Sequence, residues 1–320
     1  MINKLQPLVT IGIPTYNRAD SYLGQSLESA VNQTYKNIEI VVSDNCSTDN
    51  TEGYVKGFND PRIRYFKQKV NIGAINNSNY CLDQARGDYF LQLHDDDSID
   101  PDFVEACMSA AMYSCDIGII RTGARGINAD NEILHESRNR ASGLSAMEFF
   151  RSWFAWKTPV YLCNTLINTK YLKEVGGFKS KHNLFDDVAV YAKLAEYSRV
   201  DVEGIKASFR THDNEETAAV KVKYWCEDSL YLLDLICDVV PSEYKDSVRR
   251  EGKKFFSEIN YQFASSVKPC IKRFFAYCDV FSTFHYRYMP PPLKHFLTRN
   301  PLYKALKIVR GRLKTLLMNT

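Results

Sequence analysis

The chain is 320 residues long, 45% hydrophobic and 25% charged, which excludes disorder and fits one large domain or a domain with an appendage. Its formal charge of +3 divides unevenly: residues 241–320 carry 16 Lys+Arg against 5 Asp+Glu, and residues 1–240 carry 25 against 33. The acidic body suits a cation-assisted site, and the basic end suits an anionic partner such as phospholipid headgroups rather than nucleic acid. Nine cysteines without CxxC spacing, an odd number, argue against a secreted disulfide framework and for a reducing cytosol. No apolar run approaches ~18 residues, and the opening MINKLQPLVTIGIP lacks the build of a signal peptide. The expected location is therefore cytoplasmic.

Residues 8–14 (LVTIGIP) read as a strand, 22–33 as a helix with Leu23, Leu27, Ala30 and Val31 on one face, and 38–43 as a second strand. Asp49 followed by Glu52 has the N-cap and N3 chemistry of a helix running to residue 58. A strand at 63–66, a helix at 74–85 and a strand at 89–93 follow. Asp100 before Pro101 reads as an N-cap with proline at N1, opening a helix to about residue 113. Residues 117–122 close the series. This alternation predicts an α/β, Rossmann-like, mostly parallel sheet flanked by helices, with ligands at the carboxyl ends of the strands. Further on, 186–197 reads as a helix, 207–210 as a strand, and the chain from 223 as mainly helical and basic. Pro290, Pro291 and Pro292 break the tail before a last helix. The expected division is an α/β domain at 1–220 and a helical extension at 221–320.

Asp95, Asp96 and Asp97 follow the apolar run YFLQL, at a strand's carboxyl end. Adjacent carboxylates repel, and a divalent cation neutralises that repulsion. In an extended segment residues i and i+2 project to one side, so Asp95 and Asp97 would face one ion or one ribose while Asp96 points elsewhere. Hard oxygen ligands suit Mg²⁺ or Mn²⁺. A solvated acidic turn is the bland alternative, but Asp100 already supplies the helix cap. His94 before the cluster reads as a hydrogen-bonded structural group.

At these residues the chain resembles the family 2 glycosyltransferases of GT-A fold, over roughly residues 7–215. IGIPTYNR (11–18) is similar to the family's opening strand and nucleotide loop, EIVVSDNCSTDNT (39–51) to its second strand, and NIGAINNSNYCLDQARGDYF (71–90) to its N-x-G helix. HDDD resembles the metal-binding aspartate motif, and VGGF with FDDVAVYAKLAEY (185–197) the segment whose acidic pair opens a helix. The pattern looks closest to bacterial members that build O-antigen and other surface polysaccharides. Cys46 stands where the family often has Gly, Ser78 where it often has Arg, and Asp186-Asp187 where it has Glu-Asp.

The resemblance implies a donor pocket drawn from Pro14, Thr15, Asn17, Asp44, Asn71, Asn79, Asp95 and Asp96, a cation held by Asp95, Asp97 and His212, and Asp187 as catalytic base. Asp44 would accept from a nucleobase N–H, which favours uracil or thymine over cytosine; an Asx-turn acid is the plain reading, and Asn79 could instead cap or pack locally. The implied reaction is inverting transfer from a nucleotide diphosphate sugar, a UDP-sugar favoured, to a hydroxyl of a glycan or lipid-linked saccharide. Asp187 would take the acceptor proton, which at a helix N-terminus requires burial to keep it basic.

Residues 153–164 (WFAWKTPVYLCN) could stack on an acceptor sugar, although Trp153, Phe154 and Trp156 fit core packing better. A sugar nucleotidyltransferase is the competing enzyme, but IPTYNR lacks the Gly-rich loop it needs; no GxGxxG or P-loop is present. A degenerate transferase retained as a binding module is the non-enzyme alternative. In the last ~20 residues Leu302, Leu306, Val309, Leu313 and Leu316 share a helical stripe beside Lys304, Lys307, Arg310, Arg312 and Lys314. That pattern predicts either a peripheral anchor on the cytoplasmic face of the inner membrane or packing on the catalytic domain.

Overall fold

The structure is a computed structural model and describes residues 6–19, 21–212, 220–285 and 288–290. Strand β1 (Val9–Thr15) leads through α1 (Leu23–Val31) to β2 (Ile38–Asp44), and α2 (Thr51–Lys56) leads to β3 (Ile63–Lys67). Next come α3 (Ala74–Gln84), β4 (Tyr89–Gln92), the short β5 (Ser98–Ile99) and α4 (Phe103–Ala110). A hairpin of β6 (Ile119–Ile127) and β7 (Ile133–Ser137) precedes α5 (Ala146–Phe154), β8 (Thr165–Asn168), α6 (Thr169–Glu174), α7 (Asp186–Lys193) and β9 (Arg199–Arg210). Helices α8 (Val222–Asp238), α9 (Lys245–Ser266) and α10 (Cys270–Thr283) follow.

The strands form one sheet in the order β3-β2-β1-β4-β8-β6-β9-β5, with β7 paired to β6. Six of the nine described strands run one way, and β5, β7 and β8 oppose them, so the sheet is mixed and mostly parallel as the alternation predicts. β2 is buried at every position, the continuous apolar pattern of a parallel strand covered on both faces. One core packs α1 and α4 against the sheet through Leu23, Leu27, Phe103 and Met108. The other joins α3, α5 and α7 to the C-terminal helices through Phe149, Trp153, Val188, Trp225 and Phe256. Thus α8–α10 are joined to α3, α5 and α7 by apolar packing.

Several elements depart from the expected ones. β9 runs twelve residues rather than four, because its first half is partly exposed and alternates charged with apolar residues. The four-residue β8 sits antiparallel between β4 and β6, too short for a periodic signal. Asp100 does not cap α4: its carboxylate takes two bonds of 2.9 Å from Arg125, a charge-assisted fork stronger than a cap. Asp49 instead accepts from Thr51 N–H and Ala19 N–H (both 3.0 Å), Glu52 pairs with Lys56 (2.6 Å), and α2 is six residues long. Trp153 packs as core, 4.7 Å from Phe255. The expected terminal helix, with Leu302 to Leu316, lies outside the described residues.

Candidate active site

β1 and β4 run side by side in parallel, so their carboxyl ends open at one edge of the sheet. There a cavity of about 510 Å³ lies between this edge, the start of α7 and the C-terminal helices. Pro14 and Thr15 at the end of β1, Arg18 after it, Asn45 after β2, and Asn77 and Ser78 of α3 form one wall. His94 to Asp97 form its floor, and Tyr161, Asp186, Asp187, Phe209, Trp225 and Phe263 face them.

The floor is a tight turn, closed by Asp97 N–H donating to His94 O (3.2 Å). Because the segment turns, the rule that pairs i with i+2 fails. Asp95 is drawn aside, accepting from Thr15 Oγ1 (2.7 Å) with Arg18 Nε at 3.7 Å. Asp96 Oδ2 lies 3.0 Å from His212 Nε2. Asp97, 2% exposed, accepts from Arg210 N–H (3.0 Å) and faces His94 Nδ1 at 3.7 Å. One ligand atom each from His94, Asp96 and Asp97 lie within 4.8 Å of one another. The compact group is therefore His94-Asp96-Asp97; Asp95 is committed to Thr15 and Arg18, and His212 stands behind Asp96. Two carboxylates and an imidazole are a donor set suited to Mn²⁺ or Mg²⁺.

The raised acids agree with that fit, whereas His94, held protonated beside Asp97, would have to give up that proton to become a ligand. Burial first, then repulsion from Asp96, pushes Asp95 up to about 6 against Thr15 and Arg18. Burial also raises Asp97, opposed by its bond to His94. Burial works against the His94 charge, yet the Asp97 carboxylate carries it up to about 9. Crowded acids of this kind are relieved by positive charge.

Arg210 shapes the floor from β9. Its buried guanidinium donates to Asp96 O (2.8 Å), Asn128 O (2.8 Å), Gln25 Oε1 (2.7 Å) and Asn131 Oδ1 (2.8 Å), and lies 4.3 Å from the centre of the Tyr22 ring.

Opposite the floor, Asp186 and Asp187 occupy the first turn of α7, partly open to the cavity. Asp187 Oδ1 accepts from Val188 N–H (2.7 Å). Burial, then repulsion from Asp186, pushes Asp187 up to about 7, and burial raises Asp186 to about 6. The helix N-terminus favours the anions, but burial outweighs it. The basicity a proton acceptor needs at neutral pH is thus present.

Four residues expected in the donor pocket do not line the cavity. Asp44 is fully buried beneath the loop, its oxygens accepting from Ser47 N–H (2.7 Å) and the Tyr65 hydroxyl. Asn17, at φ 53°, accepts from Thr48 N–H (2.8 Å) and receives support from Ser47, so it stitches the first loop to the second. Asn71 accepts from Asn45 Nδ2 (3.0 Å) and Gly73 N–H (2.9 Å), behind the lining Asn45. Asn79 exchanges two 2.9 Å bonds with the Phe178 backbone. That clamp needs Gly177, at φ +69°, where a Cβ would stand 2.3 Å from Asn79 Oδ1. Cys46 adopts φ 68°, the left-handed conformation for which glycine is better suited.

Sequence reasoning missed Arg18, Asn45, Phe209, Arg210, Trp225 and Phe263, read His94 as structural, and held Tyr161 only within the 153–164 stretch offered for acceptor stacking. Arg18 stood within IPTYNR. For Arg210, Trp225 and Phe263 no local pattern exists, since only tertiary packing brings them here.

Residues 10–176 match the family model described as glycosyl transferase family 2. Escherichia coli chondroitin synthase is 30% identical over 220 residues, 62% of this chain and 31% of that protein. The chain thus spans about a third of that relative's length. A Campylobacter jejuni GalNAc(5)-diNAcBac-PP-undecaprenol beta-1,3-glucosyltransferase is 29% identical over 200 residues, 59% of this chain and 63% of the relative. The S. aureus TarS 1–349 structure with UDP-GlcNAc superposes with TM-score 0.69 at 17% identity, covering 88% of this chain and 82% of that one. Mannosyltransferase PcManGT from Pyrobaculum calidifontis, with GDP-Man and Mn²⁺, gives TM-score 0.54 at 16% identity over 96% and 85%. These likenesses give the chain the GT-A fold. With a family model covering more than half of its length, and an acid-floored cavity at the strand ends, the chain belongs to glycosyl transferase family 2.

Proposed function

We propose that the chain is an inverting glycosyltransferase that moves a sugar from a nucleotide diphosphate, UDP favoured, to a hydroxyl of a glycan or lipid-linked saccharide. The observation that carries this reading is Asp187, raised to about 7 at the start of α7, across one cavity from the Asp95–Asp97 floor. In that geometry Asp187 accepts the acceptor hydroxyl's proton as its oxygen attacks the anomeric carbon from the side opposite the departing diphosphate. Arg18, at the mouth of the acidic floor, orients the diphosphate. His94, Asp96 and Asp97 are the residues that would hold Mn²⁺ or Mg²⁺, whose chemistry there is neutralising charge on the departing nucleotide. TarS bound to UDP-GlcNAc supports a UDP donor, and the relative named for an undecaprenol-linked acceptor supports a lipid-linked one.

Thermal melts with Mn²⁺ and a panel of nucleotide sugars test the donor. A UDP-sugar at about 100 times its Kd adds roughly 2.7 kcal/mol to folding stability, a rise of several degrees that EDTA abolishes. No shift with any nucleotide sugar, together with pyrophosphate release from a sugar phosphate and a nucleoside triphosphate, would instead identify a nucleotidyltransferase.

The enzyme works against an anionic membrane surface. No described helix is long and apolar enough to cross a bilayer, but α10 turns apolar side chains to solvent. Ile271, Phe274 and Phe275 are 63%, 63% and 60% exposed, opposite the buried Ala276, Val280 and Phe284. Lys268, Lys272 and Arg273 flank them, and residues 280–320 hold eight Lys+Arg and no acid. Apolar residues beside basic ones are the recognition chemistry of an anionic interface. The intact chain is expected to sediment with anionic liposomes at low salt, and I271S/F274S/F275S to remain largely in the supernatant. Equal sedimentation of both would assign binding elsewhere, and a concentration-dependent dimer lost in the triple variant would assign the stripe to a second copy.

A further inference from the structure

The loop that delivers the candidate base is held from the helical extension. Asp228 of α8 is fully buried. Its Oδ2 accepts from Ser180 Oγ (2.6 Å), Leu184 N–H (2.8 Å) and Phe185 N–H (3.1 Å), and its Oδ1 from His182 N–H (2.9 Å). Ser180 Oγ in turn accepts from Leu184 N–H (3.1 Å) and Phe185 N–H (3.4 Å). Three backbone N–H groups and a hydroxyl thus converge on one carboxylate, and such charge-assisted bonds are about twice as strong as neutral ones.

The position of these bonds gives them meaning. Helix α7 opens at Asp186 with Phe185 at its N-cap and no side-chain cap of its own. Asp228 accepts from the N–H of Phe185 at the N-cap and of Leu184 before it, so it holds the entry to the helix, while the Val188 N–H within the first turn donates to Asp187 Oδ1. Asp228 fixes the backbone of Leu184 and Phe185, which line the cavity and immediately precede Asp186 and Asp187. His182 and Lys181 of the same loop pair with Glu227, the neighbour of Asp228 on α8 (2.8 and 3.1 Å). Consecutive acids of α8 therefore grip both sides of one turn. Beyond burial, the Asp228 charge also helps to hold Asp186 above the usual carboxylate range.

We propose that Asp228 is a positioning residue for the transfer reaction, holding loop 180–185 so that Asp187 faces the acceptor hydroxyl at the cavity wall. The inference rests on Asp187 being the base. A hydrogen-bonded loop displaced by about 1 Å costs on the order of 10²-fold in rate, so a clamp this close to the base acts on turnover rather than on donor affinity.

The test compares Asp228→Asn, Ser180→Ala and Asp187→Asn with wild type, with turnover expressed per mole of UDP-binding sites so that loss of folded protein does not count. Asn keeps the shape of Asp228 but turns one acceptor into a donor facing N–H groups. Asp228→Asn is expected to lose about 10- to 100-fold in kcat with donor KM within about twofold, and Ser180→Ala to lose less in the same pattern. Asp234→Asn, an exposed acid on the same helix paired to Arg249, keeps full turnover. If Asp187→Asn is inactive while Asp228→Asn turns over normally, the positioning role is overturned and the base assignment stands. If Asp187→Asn itself turns over normally, the base assignment falls instead. Should Asp228→Asn fail to fold, Ser180→Ala decides: lowered kcat at unchanged donor KM supports the clamp, and unchanged kcat overturns it.

Discussion

Asp187→Asn is expected to lower turnover by about 10²–10⁴-fold while leaving donor binding intact, because the amide keeps the shape of the carboxylate and cannot accept a proton. The wild-type pH profile carries the matching signature. With Asp187 raised to about 7, the base is protonated on the acid side, so kcat/KM falls about tenfold per unit as pH drops below that value. The same shift acts on stability with a definite sign. A carboxyl whose pKa is higher folded than unfolded favours the fold at low pH, and that contribution is lost as pH rises through about 7. The asparagine variant avoids the loss, so it should melt a few degrees above wild type at pH 8, with the gap closing towards pH 4. Rate and melting temperature therefore move in opposite directions at pH 8, which no general disruption of the fold reproduces. Near-normal turnover in Asp187→Asn with loss in Asp186→Asn would transfer the base role to Asp186.

Asp97→Ala is expected to reduce transfer by at least about 10²-fold, since charge stabilisation at a departing diphosphate is worth several kcal/mol. Chelation of wild type should produce a loss of similar size, and the variant should show no further response to EDTA. Asp97 is the most buried of the three floor acids, with its backbone tie to β9 through Arg210 N–H. Removing its side chain leaves that N–H unsatisfied, so a modest fall in melting temperature accompanies the kinetic loss. Turnover that is equal in EDTA and in Mn²⁺ would remove the cation from the reaction altogether.

The parallel half of the sheet was legible because β1, β2 and β4 are buried on both faces and read as continuous apolar runs between clear turns. β8, four residues long, carried no such period, and the first half of β9 hid its strand character among charges. The acidic floor was legible as a cluster at a strand end, but its internal pairing was not. Whether Asp95 or Asp96 joins Asp97 depends on one backbone turn, from His94 O to Asp97 N–H, that composition does not encode. The same limit applies to Asp44 and Asn79, whose side-chain chemistry suits a ligand or a loop equally. Trp225, Asp228 and Phe263 were invisible because their relation to the site is purely three-dimensional.

The wall formed by Trp225 and Phe263 and the grip of Asp228 also impose a timetable on synthesis. A nascent chain that has emerged as far as Arg210 possesses every described strand of the sheet and all of its acidic floor. It still lacks one side of the cavity and the Asp228 grip on loop 180–185, which arrive only with α8 and α9. Synthesis runs from the N-terminus, so the residues of sheet and floor have emerged while the far wall is still being translated. The cavity wall is therefore complete only once residue 263 has been added.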